Sequence, residues 1–496
     1  MGDHSVVGEQ VSEKGAAERD RMLAGVKIVE LPRVLTALDL IVLGVGSTVG
    51  AGIFVLCGQA AAKYAGPAVI LSFVLSGICC SFYGLCYAEL ASMVPVAGSA
   101  YTYSKVAFGR LTSWVIGWNL LLEYLFGAAT VAVGWSGYLV SQLKDWGLDI
   151  HGPLSMAPVE VDENENFYLT GAICNVPAVF IVACCTIVLC VGIRESTRTN
   201  MAFVAVKLTV LALFIFMGMW FVKAKNYEPF IPENTGKLGH FGWSGVLRGS
   251  SVIFFAYIGF DALTTVASET INPQRNLPIG ILGSLFLCTA LYVATSAVLT
   301  GLVSYKELLV PDPMAVGVDA AGDALSWLRP FIKLGALAGL TSVILVGLLG
   351  QPRIIQVMAA DGLLPPALAA VHEASNTPRM ATVMCGLLCS LVAGTLPINI
   401  LGELVSIGTL LAFLIVCAGV LMLRWDYPDA PRPFRLPFHP LIPGIGVVLC
   451  SIQMISLPVG TWMRLAIWVT IGMVVYAMYG HKRVDYVAVE TKENDE

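Results

Sequence analysis

Charge is what this 496-residue chain has least of: Asp, Glu, Lys and Arg make up 13% of it. Ordinary soluble domains carry roughly 25%, so a water-facing globular surface is excluded. The net charge of -5 is too small to select nucleic acid or an acidic partner. The thirteen cysteines lie almost entirely in apolar runs, including the pairs Cys79-Cys80 and Cys184-Cys185. They form no CxxC and no cysteine–histidine cluster of ligand spacing, so they read as small buried hydrophobes. No metal or cofactor is expected. A Ser/His/Asp grouping and a phosphate loop are missing too, which argues against an enzyme. Residues 1–35 are polar, without an apolar core before a small-residue cleavage site, so no cleavable signal peptide is expected.

What fills the chain instead is apolar: 57% of residues are hydrophobic, laid out in runs of about 20, the length a bilayer requires. The fold class is an all-α polytopic membrane protein. Twelve spans are expected, at about 36–62, 66–91, 111–141, 173–193, 200–222, 244–268, 278–303, 328–352, 381–397, 402–424, 441–459 and 462–480. With the N-terminus inside, the cytoplasmic segments and adjoining span ends collect 18 Lys/Arg against eight outside, so both termini are expected to be cytoplasmic. The outer segment 143–172 is acidic (Asp145, Asp149, Glu160, Asp162, Glu163, Glu165). It reads as a solvated face, or as a weak concentrator of cations.

The densest signal is Gly44-Val45-Gly46-Ser47-Thr48-Val49-Gly50-Ala51-Gly52-Ile53-Phe54, four glycines inside the first span. Broken backbone survives at membrane depth only against protein or a water-filled cavity. The run therefore reads as a binding site built from bare backbone, or as a small-residue face for close helix packing. Span six holds Phe255-Ala256-Tyr257-Ile258-Gly259-Phe260-Asp261, a second interruption five spans later. Breaks at matching positions of two five-span halves point to an inverted repeat with its site at the repeat interface. The expected division is a tail (1–35), repeats 36–222 and 223–424, spans eleven and twelve (425–481) and a tail (482–496). At the first break the N–H groups of Gly50, Ala51 and Gly52 open a half-helix suited to an anion. At the second, the carbonyls of Phe255, Ala256 and Tyr257 can accept from an ammonium. An anion site facing a cation site describes an α-amino acid, although peptides and other zwitterions fit it too. Tyr257 and Phe260 either close over a ligand or pack in the core.

Four of the charges inside spans bear on function. Glu123 lies about 18 Å deep at 1.5 Å per residue, with Asn119, Thr130 and Gly134 near it at helical spacing. It is a functional carboxylate, or one partner of a structural hydrogen bond or ion pair. Lys207 lies roughly 10 Å from the inner surface. It either snorkels to the interface or points inward as a cation surrogate or proton carrier. Lys333, five residues into span eight, reads as snorkelling. Asp261 reads as a clamp on the span-six break or an inner gate, not as a substrate contact.

These residues resemble the cationic amino acid transporter family, within the amino acid–polyamine–organocation superfamily, over about 36–480. Beyond the span-one glycines the resemblance is carried by Gly84-Leu85-Cys86-Tyr87-Ala88-Glu89, Pro95 with Gly98-Ser99-Ala100-Tyr101-Thr102-Tyr103, Gly117-Trp118-Asn119 and Gly192-Ile193-Arg194-Glu195-Ser196. It continues in Phe254-Phe255-Ala256-Tyr257-Ile258-Gly259-Phe260-Asp261, Glu269 with Asn272-Pro273, Arg353 with Asp361-Gly362-Leu363-Leu364-Pro365, and Pro433-Phe434-Arg435 with Pro437-Phe438. The resemblance implies a five-plus-five inverted repeat and alternating-access transport of L-amino acids, cationic or small neutral, across the cell membrane. It implies a substrate site on Thr48, Val49, Gly50, Ala51, Gly52, Ile53, Phe255, Ala256, Tyr257, Gly259, Phe260 and Glu123. It adds Ile344 in the side-chain pocket, where a bulky branched residue favours small neutral substrates over arginine. Some bacterial-type members carry a basic residue at the Lys207 position and are proton-coupled; several animal members lack it and act as uniporters or exchangers. Twelve spans resemble the shorter bacterial type, and Lys333 is outside the pattern. Proton-coupled symport is thus expected, with proton-independent exchange or a non-transporting amino acid sensor as alternatives. The partners expected are an amino acid, protons and the lipid bilayer.

Overall fold

The computed structural model describes residues 33, 35–95, 98–148, 153–161, 167–191, 193–372 and 377–480. Both expected tails lie almost wholly outside these residues, as do Asp149, Asp162, Glu163 and Glu165 of the acidic segment. The described chain is nearly all helical because backbone in lipid must bond to itself. In order, the helices are α1 (Ala37–Thr48), α2 (the contiguous turns Gly52–Leu56, Cys57–Ala60 and Ala61–Ala65), α3 (Val69–Met93), α4 (Ser99–Phe108), α5 (Arg110–Asp145), α6 (Val176–Val191), α7 (Ile193–Gly218) and α8 (Gly242–Ile253). They continue as α9 (the 3-10 segment Phe260–Glu269), α10 (Pro273–Leu302), α11 (Pro313–Asp319), α12 (Asp323–Ser326), α13 (Leu328–Ala360), α14 (Arg379–Thr395), α15 (Ile398–Asp426), α16 (Leu441–Ile455) and α17 (Val459–Val475). Among the described residues each expected apolar stretch is helical over most of its length, with breaks at 49–50 and 258–259. Among the described residues eight helices are long and apolar enough to cross a membrane, and α1, α6, α14 and α16 are shorter apolar helices. One departure from all-α is a small antiparallel hairpin, β1 (Val159–Val161) with β2 (Phe167–Leu169). Its β-branched and aromatic residues suit a pleated surface.

Helix ends follow local chemistry. Thr36 and Asp39 form a reciprocal capping box at the start of α1, satisfying two of its orphan N–H groups. Pro273 opens α10 behind a left-handed Asn272, where the missing N–H costs nothing. The long α5 packs along α13 and α15, while α10 packs along α3 and α1. At the edge, α17 is fastened to α5 by reciprocal indole bonds. Trp118 Nε1 donates to the Trp468 carbonyl (2.9 Å) and Trp468 Nε1 to the Trp118 carbonyl (3.0 Å).

Buried charge ties the far end of α3 to α15. Glu89, 1% exposed, accepts two bonds from Arg424 (2.9 and 2.5 Å) and one from the Leu436 amide (2.9 Å). Removing Arg424 would leave the buried Glu89 with only the Leu436 amide and Arg432, whose Nε lies 3.5 Å away. Arg424→Met should therefore destabilise the protein by about 3–5 kcal/mol, seen as a clear fall in the melting temperature in detergent. A melting curve unchanged within a degree or two would show the pair to be dispensable.

Candidate functional site

The site grows from two interruptions. Helix α1 stops where Val49 turns extended (ψ 100°), its N–H closing on the Val45 carbonyl (3.0 Å). The next turn begins at Gly50, whose carbonyl accepts from both Ile53 and Phe54 (3.2 Å each). The N–H groups of Gly50, Ala51 and Gly52 thus precede the first helical bond of α2, where a helix leaves its donors unused. Helix α8 gives way to a 3-10 turn at Phe254–Tyr257, then extended Ile258 (ψ 137°) and Gly259 at φ +122°. That φ needs glycine, and a Cβ there would also lie 2.9 Å from the Ser47 carbonyl oxygen. Ser47 Oγ in turn donates to the Gly259 carbonyl (2.9 Å), so the breaks are stitched to each other. They touch most closely at Gly52, where a Cβ would meet the Ala256 Cα at 2.3 Å.

Tyr292 of α10 clamps both breaks. Its hydroxyl lies 2.9 Å from the Thr48 carbonyl oxygen and 2.6 Å from that of Ala256. This corrects the expectation that the Phe255, Ala256 and Tyr257 carbonyls stand open: Ala256 accepts from Tyr292, and Phe255 from the Ile258 N–H (3.3 Å). Protein donors reach these carbonyls because unsatisfied backbone at this depth is too costly to leave.

Between the breaks lies a cavity of about 60 Å³. Ser47, Thr48, Gly50, Ala51 and Gly52 line it from the first break, and Phe255, Ile258, Gly259, Asp261 and Ala262 from the second. Opposite stands an apolar wall of Ala128 and Val131 from α5, Val343 and Val346 from α13 and Val405 from α15. Glu123 also lines it, 3% exposed. Among the described residues the Glu123 Oε2 and Thr48 Oγ1 atoms are buried without a hydrogen-bond partner. Orphaned polar atoms of this kind need an explanation, and here both belong to residues that line one cavity. Asp261 fastens the second break as expected, accepting from the Gly259 N–H (3.2 Å) and the Tyr124 hydroxyl (3.2 Å), but it lines the cavity as well.

Lys207 does not snorkel. Fully buried, its ammonium donates to the carbonyls of Gly46 and Val49 (2.8 Å to the latter) and to Ser342 Oγ (2.9 Å). It joins α1, α7 and α13 at the point where α1 stops and its last carbonyls carry the negative end of the helix dipole. Lys333 does not snorkel either: also fully buried, it pairs with Asp145 (2.6 Å). The reason is the same for both, since acceptors close enough to replace water lie inside the protein.

Other expected residues stand aside from the cavity. Val49, Ile53 and Ala256 are buried just behind the breaks. Tyr257 donates to the Phe73 carbonyl (2.8 Å), and the Phe260 ring packs on Tyr87 and Phe413, so both serve the core. Ile344 is fully buried and does not line the cavity, which its neighbours Val343, Val346 and Gly347 do. Of the polar stripe near Glu123, Asn119 donates to the Gly408 carbonyl (2.5 Å) and Thr130 to that of Phe126 (2.7 Å). The wall valines and Tyr124 were missed, because an apolar or aromatic residue in a span carries no sign of which way it faces.

The glycines at the first break differ in what they can tolerate. Gly52→Ala drives a methyl into Ala256 backbone and should cost about 3 kcal/mol through overpacking. Gly50→Ala meets only a Val343 methyl at 2.8 Å, which can shift, so its cost should be clearly smaller. Thermal melts of the two purified variants check the order; equal losses would refute the close backbone contact.

Comparison with known proteins agrees with this geometry. The family described as amino acid permease matches residues 35–480. The methylthioribose transporter and the branched-chain amino acid permease BcaP, both of Bacillus subtilis (strain 168), are each 40% identical over 453 residues, 91% of this chain and 94% of theirs. Cationic amino acid transporter 4, vacuolar, of Arabidopsis thaliana is 36% identical over 409 residues, 81% of this chain and 64% of its own. A helical bundle with apolar membrane-length helices, two broken helices around a buried cavity and a match along nearly its whole length lead to one conclusion: the chain belongs to the amino acid permease family of the amino acid–polyamine–organocation superfamily.

Proposed function

We propose that this protein is a secondary active transporter of L-amino acids that works by alternating access and couples uptake to protons. The observation that carries the reading is the cavity between the two breaks, with unused α2 donors on one side and unpaired Glu123 and Thr48 oxygens on its walls. A carboxylate suits the N–H groups at the start of α2, and an ammonium suits Glu123 and the second lone pairs of the α8-end carbonyls. The twelve-span inverted repeat, repeats 36–222 and 223–424, and cytoplasmic termini in the cell membrane belong to the same proposal. They rest on paired breaks five spans apart and on the Lys/Arg distribution.

The wall of Val131, Val343, Val346 and Val405 favours a neutral aliphatic side chain over a guanidinium, which such a surface would strip of water. Lys207 serves as the coupling group, its ammonium holding the end of α1 as a bound cation would, and losing a proton would release that hold. In proteoliposomes with an inward proton gradient, labelled leucine and alanine should accumulate more than arginine or methylthioribose. Failure of every amino acid to enter would overturn the transport reading.

Lys207→Met keeps the approximate length of the side chain and removes its charge. Uphill accumulation should then vanish while exchange of labelled for unlabelled substrate persists. Continued accumulation against a gradient would remove Lys207 from the coupling step. Selectivity has its own check in competition assays. Val346→Ala widens the cavity and should improve competition by bulky relative to small amino acids by roughly tenfold. Ile344→Ser, outside the cavity, should lower stability and leave the competition profile in place. The opposite pattern would put the pocket on Ile344.

A further inference from the structure

Lys333 is a fully buried charge that the site does not employ. Its ammonium donates to Ser141 Oγ (2.7 Å), to the Ser141 carbonyl (3.3 Å) and to Asp145 (2.6 Å) on α5, and lies 3.5 Å from Asp312. Asp312 is the residue that precedes α11, and it also accepts from Ser141 Oγ (2.5 Å). At the other end of α11, Asp319 pairs with Arg329 (3.0 Å), which also reaches Asp145 (2.9 Å). The short helix is therefore pinned at both ends to α5 and α13. Its body lies on α2: a Cβ at Gly58 would stand 2.5 Å from that of Pro313, and one at Gly137 of α5 would stand 2.8 Å from that of Pro311. Gly58 thus lets α11 settle directly onto α2, the helix whose first turn lines the cavity, and Gly137 lets Pro311, just before α11, settle onto α5.

We infer that the Lys333 cluster is a latch: it holds α11 across α2 and so keeps the Leu328 end of the bundle shut over the cavity. The inference rests on the alternating-access reading, in which α2 must part from its cover once in each cycle. A buried lysine suits a latch because parting α11 from α13 would take away its second carboxylate, Asp312, while Asp145 and Ser141 of α5 keep their hold on it. Removing one partner of a buried pair leaves the others uncompensated, so the closed arrangement loses its advantage. Arg329, half exposed and paired with Asp319 at 39% side-chain exposure, is the weaker pin, since water competes for it.

The test reads α11 directly. Met314, fully buried near the start of α11, is replaced by cysteine, and its reaction with a membrane-impermeant maleimide is followed in proteoliposomes above the labelling of the parent chain. Adding Lys333→Met should speed that reaction about tenfold or more, as expected when a buried pair is broken. Lys333→Arg, which keeps the charge, should label more slowly than Lys333→Met. An unchanged rate in folded Lys333→Met protein, judged by its melting transition, would overturn the latch. Should that variant fail to fold, Asp312→Asn removes the same link from the α11 side; a faster reaction supports the latch and an unchanged one refutes it. Labelling does not depend on flux. Faster labelling in a protein that moves no amino acid would therefore sink the transport reading and leave the latch standing.

Discussion

A helix that stops in the middle of a membrane leaves backbone donors and acceptors that lipid cannot satisfy. The rest of this structure depends on how those groups are answered. The end of α1 gives its carbonyls to Lys207, and the Thr48 and Ala256 carbonyls share the Tyr292 hydroxyl. Ser47 returns a bond from the first break to the second. What remains unanswered is the set of N–H groups that opens α2, together with the Glu123 and Thr48 oxygens. Among the described residues the bonds that answer the two breaks leave the cavity-lining Glu123 and Thr48 residues with an unpaired side-chain oxygen each.

The span-one glycines show that binding and packing readings divide between residues. Gly44 lies against Ser284 and Gly46 against Val204, where added methyls would come within 2.6 and 2.8 Å. These two let α1 sit deep among its neighbours. Gly50 and Gly52 line the cavity, and Gly52 also admits the Ala256 backbone. One short run therefore provides both the close approach that buries the break and the bare backbone that the break exposes.

Buried charges are handled in three ways. Glu89 is matched by arginine, Lys333 by aspartates and Lys207 by backbone carbonyls and the Ser342 hydroxyl. The first two are ion pairs whose cost falls on whichever partner is removed. Among the described residues Lys207 has no carboxylate within hydrogen-bond reach, so its hold on α1 depends on its own protonation. That distinction separates a charge suited to coupling from charges suited to fastening elements together.

Low charge, apolar runs of membrane length and two glycine-bearing interruptions determined the helical membrane class and the two breaks that line the cavity, because each is a local property of the chain. The same runs identified Thr48, Gly50, Ala51, Gly52, Phe255 and Gly259, since broken backbone is visible wherever glycine interrupts a span. Side-chain direction was not legible. Whether Val346 or Ile344 reaches the cavity is decided by the rotation of α13 against α5, and two adjacent aliphatic residues look alike in sequence. Lys207 and Lys333 likewise read as candidates for snorkelling until the fold placed carbonyls around one and aspartates around the other. The Val49 and Gly46 carbonyls lie 158 and 161 positions from Lys207, and Asp145 lies 188 from Lys333, so only tertiary packing brings them within a hydrogen bond.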